Sequence, residues 1–212
     1  MPPLSSRFTE AVDYAQKIHT GFRKGTRVPY LAHLLGVTAI VLGETGNLGI
    51  PVTEDMAIAA LLHDAVEDEG GMTRLRDIEV EFGRTVARIV EGCSDSFAAK
   101  GRKKAPWMAR KQAYIDRLPQ EPPDTLLVSA ADKLYNARSI LEDYRQIGPQ
   151  VWKRFHRGRD DQLWYFDTLL EIFTAKCPKW RIIQELERTV SQLRKISGGE
   201  SSPRKRRYPP RS

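Results

Sequence analysis

The sequence predicts an all-α fold, a helical bundle forming a single domain followed by a short basic tail. Apolar residues recur at three- and four-residue spacing through most of the chain. No alternating run longer than a few residues competes for strand, and Gly- or Pro-rich breaks fall at helix-length intervals. With 212 residues, 41% of them hydrophobic and 29% charged, the chain can bury a substantial core and is not disordered as a whole.

The elements follow in order. Phe8, Ala11, Val12, Ala15, Ile18 and His19 form one helical stripe, with Ser5 and Ser6 available to cap its start. Gly21 to Pro29 is a basic loop, and a second helix is expected from about Leu31 to Glu44, ended by Gly43, Gly46, Asn47, Gly49 and Pro51. Thr53 can cap a third helix whose first turn carries Glu54 and Asp55, where the helix dipole favours negative charge. That helix is expected to run on without a break through His63 to Asp68. Thr73 opens another, and Gly83 separates it from Thr85–Glu91. Asp95 to Pro106 reads as a mobile basic loop. A helix around Met108–Leu118 ends at the Pro-rich stretch Pro119–Pro123, and Asp124 is placed to cap the next, Thr125–Tyr144. Gln162–Ala175 and Trp180–Ile196 complete the bundle.

The tail from Ser197 to Ser212 holds +4 of the net charge of +7, through Arg204, Lys205, Arg206, Arg207 and Arg211 against Glu200. The high pI is therefore largely a property of a segment expected to be disordered, and it does not argue for a nucleic-acid reader. Residues 1–196 are taken as the domain. No apolar run is long enough to span a bilayer and no secretory leader is evident, so a cytoplasmic protein with no membrane partner is expected. Cys93 and Cys177 are too few for a disulfide framework and are not spaced as a metal pair.

The informative feature is polarity in the wrong place. Met56-Ala-Ile-Ala-Ala-Leu-Leu62 is apolar on every face, which marks a helix buried all round, and it leads directly into His63, Asp64, Glu67 and Asp68. Leu126-Leu-Val-Ser-Ala-Ala131 is similarly apolar and delivers Asp132 to the interior. A buried carboxylate must be neutralised by a partner or a cation, and two such helices converging with a histidine suggest a metal. Glu67 lies four residues after His63 and Asp68 four after Asp64, one helical turn further along. That order suits metal ligands on one turn and acid–base groups on the next. Asp132 and Asn136 form a second pair at the same spacing. His19 and His156 are read as structural.

These residues resemble a known family. His33 in Pro29-Tyr-Leu-Ala-His33, the doublet His63-Asp64 and the distal Asp132 form the pattern of HD-domain metal phosphohydrolases. Arg23-Lys24 upstream, His63-Asp-Ala-Val-Glu-Asp68 and Ala131-Asp-Lys-Leu-Tyr-Asn136 look like the hydrolase domain of RelA/SpoT-type proteins, most of all the stand-alone small alarmone hydrolases, over about Phe8 to Ala175. The resemblance implies an HD-type fold holding one Mn²⁺ through His33, His63, Asp64 and Asp132. Glu67 and Asp68 would position and activate the attacking water, Arg23 and Lys24 would grip the pyrophosphate, and Asn136, Tyr165 and Lys111 would face the nucleotide. Asp161 stands one turn before Tyr165 where an arginine is expected, leaving Arg157 or Arg159 to replace it. The donor set suits Mn²⁺, while Fe²⁺, Co²⁺ and Zn²⁺ are chemically able to occupy it.

The implied reaction removes the 3′-pyrophosphate of guanosine or adenosine alarmones, giving pyrophosphate and GDP or GTP, or the adenine equivalents. Two other readings stay open: a phosphatase of another nucleotide such as NADPH, and a module that binds alarmone without turnover. The partner is a small nucleotide in each case, with no specific nucleic acid expected.

Overall fold

The structure, a computed structural model, describes residues 4–99 and 101–198. Its helices are α1 (Ser6–Ile18), α2 (Tyr30–Gly43), α3 (Glu54–Leu62), α4 (Ala65–Glu69), α5 (Gly71–Phe82), α6 (Arg84–Cys93), α7 (Trp107–Arg117), α8 (Pro123–Ile147), α9 (Gly158–Lys176) and α10 (Arg181–Ile196). Short 3₁₀ turns occupy Leu118–Gln120 and Gly148–Arg154. Among the described residues, the sole extended pairing is a single bridge between Phe22 and Pro29. The all-α expectation therefore holds. The tail reading falls almost wholly on residues 199–212, outside the described residues. No helix among those described is long and apolar enough to cross a membrane.

Two helices form the centre. All seven residues from Met56 to Leu62 of α3 are buried, and the helix packs against α1, α2, α6 and α8. Its start is fixed as the sequence predicts, with Thr53 Oγ1 accepting the Met56 amide at 3.3 Å. Arg7 of α1 donates to Asp55 at 2.9 Å, tying the two helix starts together. In α8, every residue from Thr125 to Asp132 is buried, against α2, α3, α6 and α10. Asp124 is not its cap: Pro122 takes that place and Pro123 the first turn, where its missing N–H costs nothing. The Asp124 carboxylate instead accepts from the Thr125 amide at 2.7 Å and binds Arg88 of α6.

The expected continuous helix from Met56 to Asp68 is interrupted. α3 ends at Leu62, and His63 and Asp64 form a junction before α4. His63 Nδ1 donates to the Ala60 carbonyl at 2.8 Å, the carbonyl that the Asp64 amide would take in an uninterrupted helix. Asp68 N bonds Asp64 O at 3.0 Å, which opens α4. Other differences are at boundaries: α5 starts at Gly71 rather than Thr73, and α9 at Gly158 rather than Gln162.

Gly36 lets α8 approach α2 closely. A Cβ on it would lie 2.1 Å from Tyr135 Cε2, and the Tyr135 ring also packs 4.8 Å from the His33 ring. Helix propensity alone would make Gly36→Ala stabilising by about 1 kcal/mol. The overlap reverses the sign, and we expect a net loss of ~1–3 kcal/mol in urea unfolding. In a Tyr135→Ala background the same substitution should become neutral or stabilising.

Candidate metal centre and active site

Four donors meet where α2, the α3–α4 junction and α8 converge. His33 Nε2 and His63 Nε2 are 3.3 Å apart. Asp64 Oδ2 lies 3.3 and 3.1 Å from these two nitrogens, and Asp132 Oδ1 lies 3.4 and 3.5 Å from them. A divalent ion about 2.1 Å from each donor holds neighbouring donors roughly 3.0–3.4 Å apart, the smaller figure for octahedral and the larger for tetrahedral coordination. Among the described residues, His33, His63 and Asp64 form the group of three or more such side chains that could hold a metal ion; Asp132 stands outside that group, within reach of both histidine nitrogens.

The hydrogen bonds around the donors test the fit. Because Ala60 O accepts from His63 Nδ1, the neutral imidazole presents a lone pair from Nε2 towards the two carboxylates and the other histidine. Lone pairs facing carboxylate oxygens in a buried site require a positive charge between them. Without a metal, that charge is a proton. Burial disfavours the imidazolium, but Asp64 and Asp132 outweigh it and raise the His63 pKa to about 10. Burial likewise opposes ionisation of Asp64, yet His63 and His33 hold its carboxyl well below the usual range. Asp132 is held down by Lys133 and both histidines against the same opposition.

The carboxylates are further oriented by their second contacts. Lys133 Nζ binds Asp132 Oδ2, while Asn136 Nδ2 donates to Oδ1 at 2.6 Å. Tyr30 donates to Asp64 Oδ2 at 2.6 Å and lies 3.2 Å from Asp68 Oδ2, so one hydroxyl spans the two acids. Burial and the charges of Asp64 and Asp68 push the Tyr30 pKa well up, which keeps it a donor. His19 stacks on the Tyr30 ring at 5.0 Å, a structural role as read from the sequence. His156 is exposed.

Glu67 and Asp68 face a cleft of about 380 Å³ beside the donors. Lys104 Nζ bridges them, at 3.2 Å from Glu67 Oε1 and 2.9 Å from Asp68 Oδ1. Glu67 is the more enclosed, its side chain 21% exposed against 37% for Asp68. Burial, then the neighbouring Asp95 charge, raises its pKa to about 7. Asp95 itself is kept below the usual range by Lys111 and Arg110, despite its burial.

The remaining predicted residues also line this cleft: Arg23, Lys24, Lys111, Asn136 and Tyr165. Arg23 is held by a closed loop, its amide bonded to Val28 O at 2.8 Å, and its guanidinium donates to Asn136 Oδ1 at 2.5 Å. Lys24 is exposed at the rim. Lys111 Nζ sits 4.8 Å from the Tyr165 ring centroid and 2.6 Å from Asp95 Oδ2. Arg157 and Arg159 do not line the cleft; Arg159 instead binds Ser197 and Asp160. The arginine that does reach it is Arg154, paired with Asp143 at 2.5 Å.

Sequence reasoning gave no role to Tyr30, Lys104, Asp95, Lys133 or Trp107. Lys133 did carry a signal, since a lysine inside an apolar helical run is as anomalous as the aspartate beside it. Asp95 and Lys104 belong to the loop read as mobile. Its two ends are instead anchored, Lys104 on α4 and Asp95 on Arg110 and Lys111 of α7.

A family model described as HD domain matches residues 11–162. The guanosine-3′,5′-bis(diphosphate) 3′-pyrophosphohydrolase MESH1 of Homo sapiens is 35% identical over 164 residues, 76% of this chain and 81% of the relative. Its Mus musculus counterpart is 35% identical over 193 residues, covering 89% and 93%. A solved structure described as a metazoan ortholog of SpoT that hydrolyzes ppGpp has a TM-score of 0.71, covering 91% of this chain and 98% of that one. At 24% identity, it shows the likeness of fold.

Asp64 and Asp132 raise the proton affinity of His63, so a cation bound at Nε2 competes with a proton there. Apparent metal affinity is expected to rise about tenfold per pH unit near neutrality, with one proton released per ion. Calorimetry in buffers of different ionisation enthalpy measures that release.

Proposed function

We propose, on the ground that the chain belongs to the HD-domain family and is akin within it to MESH1, that it hydrolyses the 3′-pyrophosphate of guanosine or adenosine alarmones. The observation carrying this reading is the juxtaposition of the four-donor cluster with Glu67, Asp68, Arg23 and Lys24 in one cleft. Members of this family are metal-dependent hydrolases. The nitrogen–oxygen donor set suits Mn²⁺, which His33, His63, Asp64 and Asp132 would hold. When bound, the ion supplies Lewis acidity towards a phosphoryl oxygen and lowers the pKa of water.

The protein's own groups perform the rest. Arg23 and Lys24 bind the pyrophosphate, the first in bidentate fashion and the second as a point charge. Asn136 holds the Arg23 guanidinium in place. Asp68, oriented by Tyr30, accepts a hydrogen bond from the attacking water, and Glu67 removes its proton. A pKa near 7 suits Glu67 to that task at neutral pH. The new bond forms between the water oxygen and the phosphorus next to the ribose 3′-oxygen. The bond from that phosphorus to the 3′-oxygen breaks, the 3′-hydroxyl is restored by a proton, and pyrophosphate leaves. Tyr165 and Lys111 face the sugar and base, with residues 1–196 as the catalytic domain and the cytoplasm as its setting.

A substrate panel supplemented with Mn²⁺ and read by product chromatography tests this proposal. Pyrophosphate and a nucleoside di- or triphosphate are expected from 3′-pyrophosphorylated nucleotides. Release of inorganic phosphate from another nucleotide, with those substrates intact, would favour the phosphatase reading. Asp132→Ala should lose bound metal, whereas Glu67→Ala should keep it while turnover falls ~10²–10⁴-fold. Equal loss of metal from both variants would contradict the division into ligands and water-activating acids.

A further inference from the structure

Behind Glu67 lies a charged network whose centre, Asp95 with Arg110, has no part in the proposed reaction. Asp95 is nearly enclosed, its side chain 3% exposed, and its two oxygens bind different cations of α7. Oδ1 accepts from Arg110 Nη1, and Oδ2 binds Lys111 Nζ at 2.6 Å. The same Arg110 Nη1 lies 3.2 Å from Glu67 Oε1, so one guanidinium nitrogen joins the two carboxylates. Lys111 in turn sits over the Tyr165 ring at 4.8 Å. A buried carboxylate with two cations thus stands directly against the acid assigned to proton transfer, and extends by contact to the aromatic wall of the cleft.

We infer that Asp95 is a positioning residue, which fixes the orientation of the Glu67 carboxylate and controls its proton affinity through Arg110 and Lys111. Two carboxylates this close do not both ionise freely. Asp95, with two cations of its own, takes the charge, and Glu67 retains its proton to higher pH. The other charged groups facing Glu67 are Lys104 from the same loop and Asp64 from the helix junction. On the elements packed behind α4, Arg74 of α5 is bound to Tyr14, Asp77 and the Glu69 carbonyl. His19 is stacked on Tyr30. Asp95 is therefore the neighbour whose removal acts most directly on Glu67.

This inference rests on the proposed hydrolysis for its meaning, but its test does not require turnover. The protein is loaded with diamagnetic Zn²⁺, its glutamate carboxyl carbons are labelled with ¹³C, and the Glu67 signal is identified by its loss in Glu67→Gln. Its titration is then followed by NMR in the wild type and in Asp95→Asn. The midpoint is expected to fall by about one pH unit in Asp95→Asn, because a like charge is removed while Arg110 and Lys111 remain. The acid limb of kcat should move the same way in Mn²⁺-loaded enzyme, with metal content unchanged. An unmoved Glu67 midpoint in folded, metal-loaded Asp95→Asn overturns the inference. If that variant does not fold, Lys111→Met decides instead: a Glu67 midpoint displaced upwards supports the inference, and an unmoved one overturns it. A wild type inactive on every 3′-pyrophosphorylated nucleotide would refute the hydrolase reading while leaving the NMR comparison decisive for Asp95.

Discussion

Two imidazole nitrogens 3.3 Å apart and two carboxylate oxygens, each 3.1–3.5 Å from both nitrogens, come together from three separate parts of the chain inside a helical core. Groups of this kind repel unless a positive charge sits among them, and burial removes the water that would otherwise screen them. The folded state must therefore supply a proton or a cation at this point. Both choices are visible in the surroundings: the elevated proton affinity of His63 answers for the first, and the spacing of the donors suits the second.

Much of the fold can be understood as keeping those donors in place. α3 is buried on all sides, so His63 and Asp64 emerge from a helix that has no freedom to shift. The bond from His63 to Ala60 O ends that helix and selects the ring nitrogen presented to the site in a single step. On α8, Asp132 follows a run of fully buried small and aliphatic residues, and its two oxygens have different partners. The close contact of Gly36 with Tyr135 brings α2, and with it His33, against α8. Tyr30 then connects the donors to Asp68, and Arg110 of α7 connects Asp95 to Glu67. Two rings of contacts thus surround the cluster, the inner one orienting ligands and the outer one orienting acids.

The sequence revealed this architecture unevenly, for physical reasons. Helices with a clear apolar stripe or fully apolar composition were legible, and so was the oddity of acids joined to such helices. The interruption at His63 was not, because it depends on a side-chain nitrogen competing for a backbone carbonyl, which periodicity does not encode. Asp95 and Lys104 were hidden for a related reason. They lie in a Gly- and Lys-containing loop that looks solvated in one dimension, and only the fold encloses Asp95 against α7 and brings Lys104 to α4. The expected Arg157 or Arg159 gave way to Arg154 because the 3₁₀ turn at Gly148–Arg154 directs that arginine towards the cleft. Lys133 could have been found by applying to a buried cation the same logic applied to Asp132.

The most direct test of the central claim is anomalous diffraction at the manganese edge from crystals grown with Mn²⁺. One strong peak per chain is expected, about 2.0–2.3 Å from His33 Nε2, His63 Nε2, Asp64 Oδ2 and Asp132 Oδ1. A peak seated instead on Glu67, Asp68 and Asp95, or no peak in a crystal with saturating Mn²⁺, would contradict it.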